Sequence, residues 1–442
     1  SEPSPSLYQG ALRDVISHCL YGVDINPMAV ELCRVSLWLE AMEPGKPLSF
    51  LDHHIQCGNS LIGATPELIA NGIPNDAFRA IEGDDKKACT DLRRRNKAEH
   101  EEIGYLFAAE DMANTKALQA AALVVGEMSD ETPEAVQEKA EAFVATRKNY
   151  DYLQAERLAD TWCAAFVIPK RFMPSLIVTG LPSRDAFGIT QRHIVDLAQG
   201  RALPAELAAE VKQLADQYQF FHWHLAFSDV FGKGGFDCVL GNPPWERIKL
   251  QEVEFFASRQ SSIAEAQNAA ARKKLIAELP DSDPELWEEW SVASREAQGQ
   301  SHFTRNSGRY PLCGQGDINV YALFAEHNRQ VLAPRGRTGF IVPSGIATDD
   351  TTKDYFQAIT EAGELQSLWE FENEGFFSAG KGHMLRFALT TLCGRDCPAA
   401  AADFMFQGHD ISDIADPNRH FTLSAEDIAT INPNTGTCPI FQ

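Results

Sequence analysis

Apolar positions along this 442-residue chain switch between strand-like runs and helical spacing, and the switches lay out the elements. Residues 17–25, SHCLYGVDI, read as a short buried strand ending at Asp24. Asn26-Pro27 then supplies an N-cap and a first-turn proline. Met28, Leu32, Val35 and Leu39 recur at three- and four-residue steps, predicting an amphipathic helix, PMAVELCRVSLWLEAM, laid against a sheet. The segment LSFLDHHIQCGNSLIG gives a second short strand whose end carries Cys57, Gly58, Asn59 and Ser60. From about 65 to 220 the chain is rich in Ala, Glu, Lys and Gln at helical period, which predicts a large helical insertion. The apolar run FDCVLG at 236–241 reads as a buried strand that opens into Asn242-Pro243-Pro244-Trp245, a loop that can continue neither strand nor helix.

After a second charged helical stretch at about 250–300, strands and helices alternate. INVYALFAEHNRQVL is a helix, RGRTGFIVPSG a turn and buried strand, and DDTTKDYFQAITEAG a helix; LQSLWEFEN and HMLRFALTTLCG are late strands. Strands separated by helices of this length predict an α/β fold with a parallel or mostly parallel sheet.

Composition narrows the class. With 39 Lys+Arg against 62 Asp+Glu, the net charge of −23 argues against a simple basic surface that grips nucleic acid. Much of that acid lies in the helical stretches, where it forms solvated faces, so net charge says little about any one cleft. At 44% hydrophobic and 10% aromatic the chain can build substantial cores. No apolar run approaches the length of a bilayer span, and SEPSPSLYQG lacks the order of a signal peptide, so a cytoplasmic protein without membrane contact is expected. The ten cysteines are scattered; Cys393 and Cys397 have no second pair to complete a zinc site, and no metal is expected. His222 and His224, two apart in FHWHLAF, would point the same way on a strand, but they lack a third ligand and read as packing or a polar rim.

In an open α/β sheet, ligands bind beyond the carboxyl ends of the strands, where Asp24, Asn59 and Asn242 fall. A carboxylate at such an end can accept hydrogen bonds from both hydroxyls of a ribose, although Asp before Asn-Pro is also an ordinary turn. Asn-Pro-Pro-Trp is more specific. Its prolines fix the backbone so that the Asn242 side-chain oxygen and the Pro243 carbonyl can converge on one amino group, while Trp245 offers a flat face to a planar base. Two acceptors holding the protons of an exocyclic amine favour a more nucleophilic nitrogen, which can attack an adjacent electrophilic methyl by proximity alone.

The ordered series YGVDINP, CGNSLIG, FDCVLGNPPW, YALF and GFIVPSG resembles the S-adenosylmethionine-dependent DNA adenine-N6 methyltransferases of large, type IIG-like restriction-modification or phage-defence proteins. The likeness covers residues 15–63 and 220–442. It implies a Rossmann-like core, with Asp24 on the cofactor ribose and Ile25 packing on the cofactor adenine. Asn59 stands where the family commonly has Asp on the adenine amine. Phe324 either edges the cofactor adenine or is a core residue of its helix. Asn242, Pro243, Pro244 and Trp245 match the catalytic loop, and Phe376 or Phe377 matches the aromatic facing a base flipped out of the duplex.

The implied substrate is double-stranded DNA, with a nuclease or defence-system partner. Arg247, Lys249, Arg305, Arg309, Arg335 and Arg337 are candidates for phosphates or else solvated surface charges. The implied division is 1–64, the first part of the methyltransferase core; 65–220, a helical insertion; 221–249, the catalytic strand and loop; 250–300, a charged helical insertion; 301–400, the second half of the core; and 401–442, the start of an extension. The family's glycine-rich cofactor loop and a target recognition domain are not found in these residues, so a longer parent protein and weak activity of the chain alone are expected. Two other readings stay open: a methyltransferase acting on RNA or on a protein glutamine, and a non-catalytic DNA-binding scaffold.

Overall fold

A computed structural model describes residues 4–103, 115–173, 185–373, 375–377 and 386–439. The chain divides into two units, Ser1–Asp229 with Lys249–Ser307, and Val230–Ile248 with Gly308–Gln442. It is a mixed α/β protein.

In the first unit, strands β1 (Gly22–Asp24) and β2 (Ile55–Cys57) pair in parallel, with Asp24 opposite Cys57. The helix Pro5–Cys19 takes the start of the segment expected as strand, because Ser4 caps it and Pro5 fits its first turn. Only Gly22–Asp24 remains extended. The helix Pro27–Glu40 forms as expected, capped by the Asn26 side chain on Met28 N–H, but its packing differs. Met28 is 65% exposed and Leu39 64%, and Leu32 and Val35 are also exposed. The helix carries a second apolar stripe, Val30, Leu37 and Trp38, which packs with Ile16, Leu51 and Ile55; spacing alone could not choose between the two.

Residues 65–220 are mainly helical, as expected, and β3 (Arg171–Phe172) and β4 (Ala186–Phe187) form only a two-residue antiparallel ladder. Their hub is the helix Tyr150–Val167, buried from Trp162 to Val167 and packed on Phe303 and on the helix Ala205–Tyr218. Gly63 allows the close approach of residues 58–64 to 220–222: a β-carbon there would stand 1.9 Å from the Phe221 carbonyl oxygen.

The second unit holds a six-stranded sheet of β5 (Phe236–Gly241), β6 (Leu332–Pro343), β7 (Leu365–Phe371), β8 (Phe387–Cys393), β9 (Ala402–Gly408) and β10 (Phe421–Leu423), in the order β10-β9-β7-β8-β6-β5. Only β5–β6 and β7–β9 pair in parallel; β6–β8, β7–β8 and β9–β10 are antiparallel. The expected mostly parallel sheet is therefore mixed among the described strands. Helices separate β5 from β6 and β6 from β7, which keeps those strands running the same way; no helix is described between β7 and β8, and β8 runs back. The strand β5 was expected to be buried. Among the described strands it pairs with β6 alone, and Leu240 is 79% exposed. No helix among the described residues is long and apolar enough to cross a membrane.

Candidate functional site

The first group of candidates gathers at the carboxyl end of the β1–β2 pair. Asp24 Oδ1 accepts from Asn26 N–H at 2.7 Å, which closes the turn into the helix Pro27–Glu40. The Asp24 carbonyl accepts from Gly58 N–H at 2.9 Å, tying the two strand ends together. Cys57 Sγ reaches the Ile25 carbonyl at 3.6 Å, and burial followed by the Asp24 charge raises its thiol pKa, so it stays protonated. Asn59 is almost fully buried: its N–H donates to the Gln219 carbonyl and its Oδ1 accepts from Leu61 N–H at 3.1 Å. Asp24 and Ile25 are exposed. The second carboxylate oxygen of Asp24 has no hydrogen-bond partner among the described residues, and the Asn59 amide likewise keeps its NH₂.

The second group is built around the Asn242–Trp245 loop, which is clamped at both ends. Before it, Gly241 pairs with Phe340 of β6. After it, Val320 N–H donates to the Glu246 carbonyl at 2.9 Å, Ile248 N–H to the Ile318 carbonyl at 3.2 Å, and Arg247 pairs with Asp317 at 2.5 Å. Asn242 and Pro244 are exposed while Pro243 is buried, so the loop rests on one proline and presents the asparagine. Trp245 Nε1–H donates to the Ile341 carbonyl at 3.4 Å, and the ring lies in a cluster with Phe371, Phe377 and Phe387.

Of the two phenylalanine candidates, Phe377 meets Trp245, edge to face, with ring centroids 5.2 Å apart. Phe376 packs instead on Phe371 and Phe387 and is 39% exposed. Sequence reading missed Asn373, whose Oδ1 accepts from Phe377 N–H at 3.0 Å and so positions that ring; no spacing signal marks it. Phe324, on the helix Val320–Val331, is the one partly exposed residue in a run buried from Tyr321 to Asn328. The Asp24 group belongs to the first unit and the Asn242 group to the second.

Several surface expectations change. Arg309 is buried and donates to Gln330 and to His327 Nδ1, so it is no phosphate contact. Arg335 and Arg337 are exposed, whereas Arg247 is engaged by Asp317. His222 and His224 lie not on a strand but at and within the short helix Trp223–Ala226. His222 is buried, with Nδ1 accepting from Ala64 N–H and Nε2 at 2.9 Å from Asp160. No group of three metal-ligating side chains occurs among the described residues, and none of the ten cysteines is in a disulfide.

Residues 18–274, more than half of the chain, match the Eco57I restriction-modification methylase family, and the chain belongs to that family. It is 22% identical over 252 residues to a curated protein of Methanocaldococcus jannaschii named "Putative type II restriction enzyme and methyltransferase". The match takes in 53% of this chain but 18% of that relative, so the chain spans about a fifth of its length. Similar solved structures include a type IIG restriction endonuclease, BpuSI, at 11% identity over 73% of this chain and 41% of that one, with a TM-score of 0.21. Another is an ATP-dependent Type ISP restriction-modification enzyme, LlaBIII, bound to DNA, at 14% identity over 46% and 12% of the two chains, with a TM-score of 0.21. Scores of that size define no shared architecture.

Proposed function

We propose that the protein carrying this chain transfers a methyl group from S-adenosylmethionine to the exocyclic amine of an adenine flipped out of double-stranded DNA, as the modification activity of a cytoplasmic restriction-modification or phage-defence protein with a nuclease partner. The observation that carries the reading is the exposed Asn242 on a loop held at both ends, with Trp245 and Phe377 beside it.

The cofactor chemistry is an electrophilic methyl on a sulfonium. The residues at the β1–β2 end fit its nucleoside: Asp24 has a carboxylate oxygen to spare for ribose hydroxyls, Ile25 offers an exposed apolar side chain for the adenine, and the Asn59 amide is available to the adenine's edge. Phe324 is a further aromatic candidate for that adenine.

On the substrate side, Asn242 Oδ1 and the Pro243 carbonyl hold the protons of the amine and raise the availability of its lone pair. Trp245 and Phe377 lie edge to face in contact, which leaves no slot for a base between them; Phe377 must swing aside for a base to stack. We assign the finer architecture as a Rossmann-like core, interrupted by helical stretches at 65–220 and 250–300. Parallel pairing of β1 with β2 and of β5 with β6 supports it, as does the open edge of β5, which carries the sequence of a central strand.

The test is Asn242→Ala in the full-length protein, assayed by transfer of labelled methyl to DNA and by cofactor binding. Transfer should fall by at least about 100-fold while cofactor affinity holds. Transfer near the parent rate would refute the assignment.

A further inference from the structure

The first unit contains a cavity of about 850 Å³ that none of Asp24, Ile25 and Asn59 lines. Its walls come from β2, the helix Tyr150–Val167, the helix Ala205–Tyr218 and the segment Phe220–His222. Most of its rim charges are accounted for: Arg201 pairs with Asp196 and Lys212 with Asp216. Arg157 on the same wall is exposed, and three further groups lack an ion pair to a charged side chain. Arg147 donates to Gln56 Oε1 at 2.6 Å and to the Tyr152 hydroxyl, both neutral, with its guanidinium over the Tyr152 ring at 4.7 Å. No carboxylate lies within ion-pair distance of it among the described residues. Burial holds its pKa down, at about 10, against the opposing pull of the Glu156 charge.

Glu156 and Asp160 stand one helical turn apart on the same wall. Glu156 has no hydrogen-bond partner among the described residues; burial followed by the Asp160 charge raises its pKa, with the Arg147 charge opposing them. Asp160 is aimed by His222. Because His222 Nδ1 accepts from Ala64 N–H, the ring proton sits on Nε2 and is donated to Asp160 Oδ1. That leaves the other carboxylate oxygen of Asp160 without a partner among the described residues.

Partly buried charges give up some of their hydration and are commonly paired. Here Arg147 and two carboxyls line one cavity without a direct ion pair between them, with Arg157 exposed on the same wall. We propose that this cavity is a binding site for a small zwitterion of the α-amino-acid class, its carboxylate on Arg147 and its ammonium between Glu156 and Asp160. Tyr152, Phe220 and Phe221 supply apolar surface for the body of the ligand. The site is independent of the methyl-transfer reading and is tested without it.

The experiment is a thermal-shift and calorimetric screen of the full chain against each proteinogenic amino acid, with inorganic phosphate, acetate and ethylamine as single-charge controls. At least one amino acid should raise the melting temperature by about 3 °C or more, and no control should match it. Glu156→Gln should weaken that binding by about ten-fold while leaving the unliganded chain nearly as stable, because it removes a half-buried carboxyl that accepts no hydrogen bond. Arg147→Met should abolish binding; should it fail to fold, Glu156→Gln decides alone. A screen in which no amino acid binds overturns the proposal. So does one in which phosphate, acetate or ethylamine binds as well as the best amino acid, or in which Glu156→Gln leaves binding intact.

Discussion

Acidification should destabilise the first unit through one pair of side chains, His53 and His54, which lie in the turn leading into β2 and are 8% and 3% exposed. Their rings stack at 3.8 Å, with Phe50 on His53 and Tyr21 on His54. Burial, then mutual repulsion and the charges of Lys139 and His18, holds the pKa of His53 at about 2 and that of His54 at about 3. In the unfolded chain both rings titrate near 6.5. Both are therefore neutral in the fold, and the unfolded state takes up protons that the folded state refuses as pH falls below 6.5. Stability is intact above that pH, declines as pH falls, and stops declining only near the folded pKa values. Between about pH 7.5 and pH 5 the loss is about 2 kcal/mol for each ring, or about 4 kcal/mol for the pair.

Urea unfolding followed by tryptophan fluorescence at those two pH values reads this directly. Trp38, Trp162, Trp223, Trp287 and Trp290, five of the seven tryptophans, lie in the first unit. The control is His53→Phe with His54→Phe, which keeps two planar rings in the stack and removes both titrations. Any constant packing cost of the larger rings cancels in the difference between the two pH values. The double variant should lose about 4 kcal/mol less than the parent over the same interval. Equal losses in the two proteins would show that these rings do not carry the acid sensitivity, and the argument from their burial would fail.

Asp24→Asn keeps the acceptor for Asn26 N–H but removes the charge, so S-adenosylmethionine affinity should drop about ten-fold in equilibrium dialysis with little change in stability. Phe377→Ala should raise the KM for DNA by about ten-fold and leave cofactor affinity unchanged, since one stacking ring is lost; an unaltered KM would remove Phe377 from base contact. Asp84→Ala should cost about 3–5 kcal/mol in chemical denaturation, because it strands the fully buried Lys170 and leaves Arg295 without its 3.0 Å partner. Lys170→Met should cost much less, as Asp84 keeps Arg295, and a reversal of that order would refute the pairing.

The sequence alone determined where the candidate residues fall relative to the local elements. Asn26-Pro27 starts a helix straight after Asp24, and Asn242-Pro243-Pro244 follows directly on the end of β5, because caps and prolines act within a few residues of themselves. The late helices and strands from Val320 to Cys393 were legible for the same reason. What only the tertiary structure decided is which face each element turns inward and which strand lies beside which. The helix Pro27–Glu40 has two apolar stripes, and the one it buries is Val30, Leu37 and Trp38, not Met28, Leu32, Val35 and Leu39. The strand β8 runs antiparallel between β6 and β7, a pairing between residues far apart in sequence. Phe377 rather than Phe376 meets Trp245, through an Asn373 that carries no local signal. Arg147, Glu156 and Asp160 come to one cavity from two helices, and no periodicity within either reports a neighbour in space.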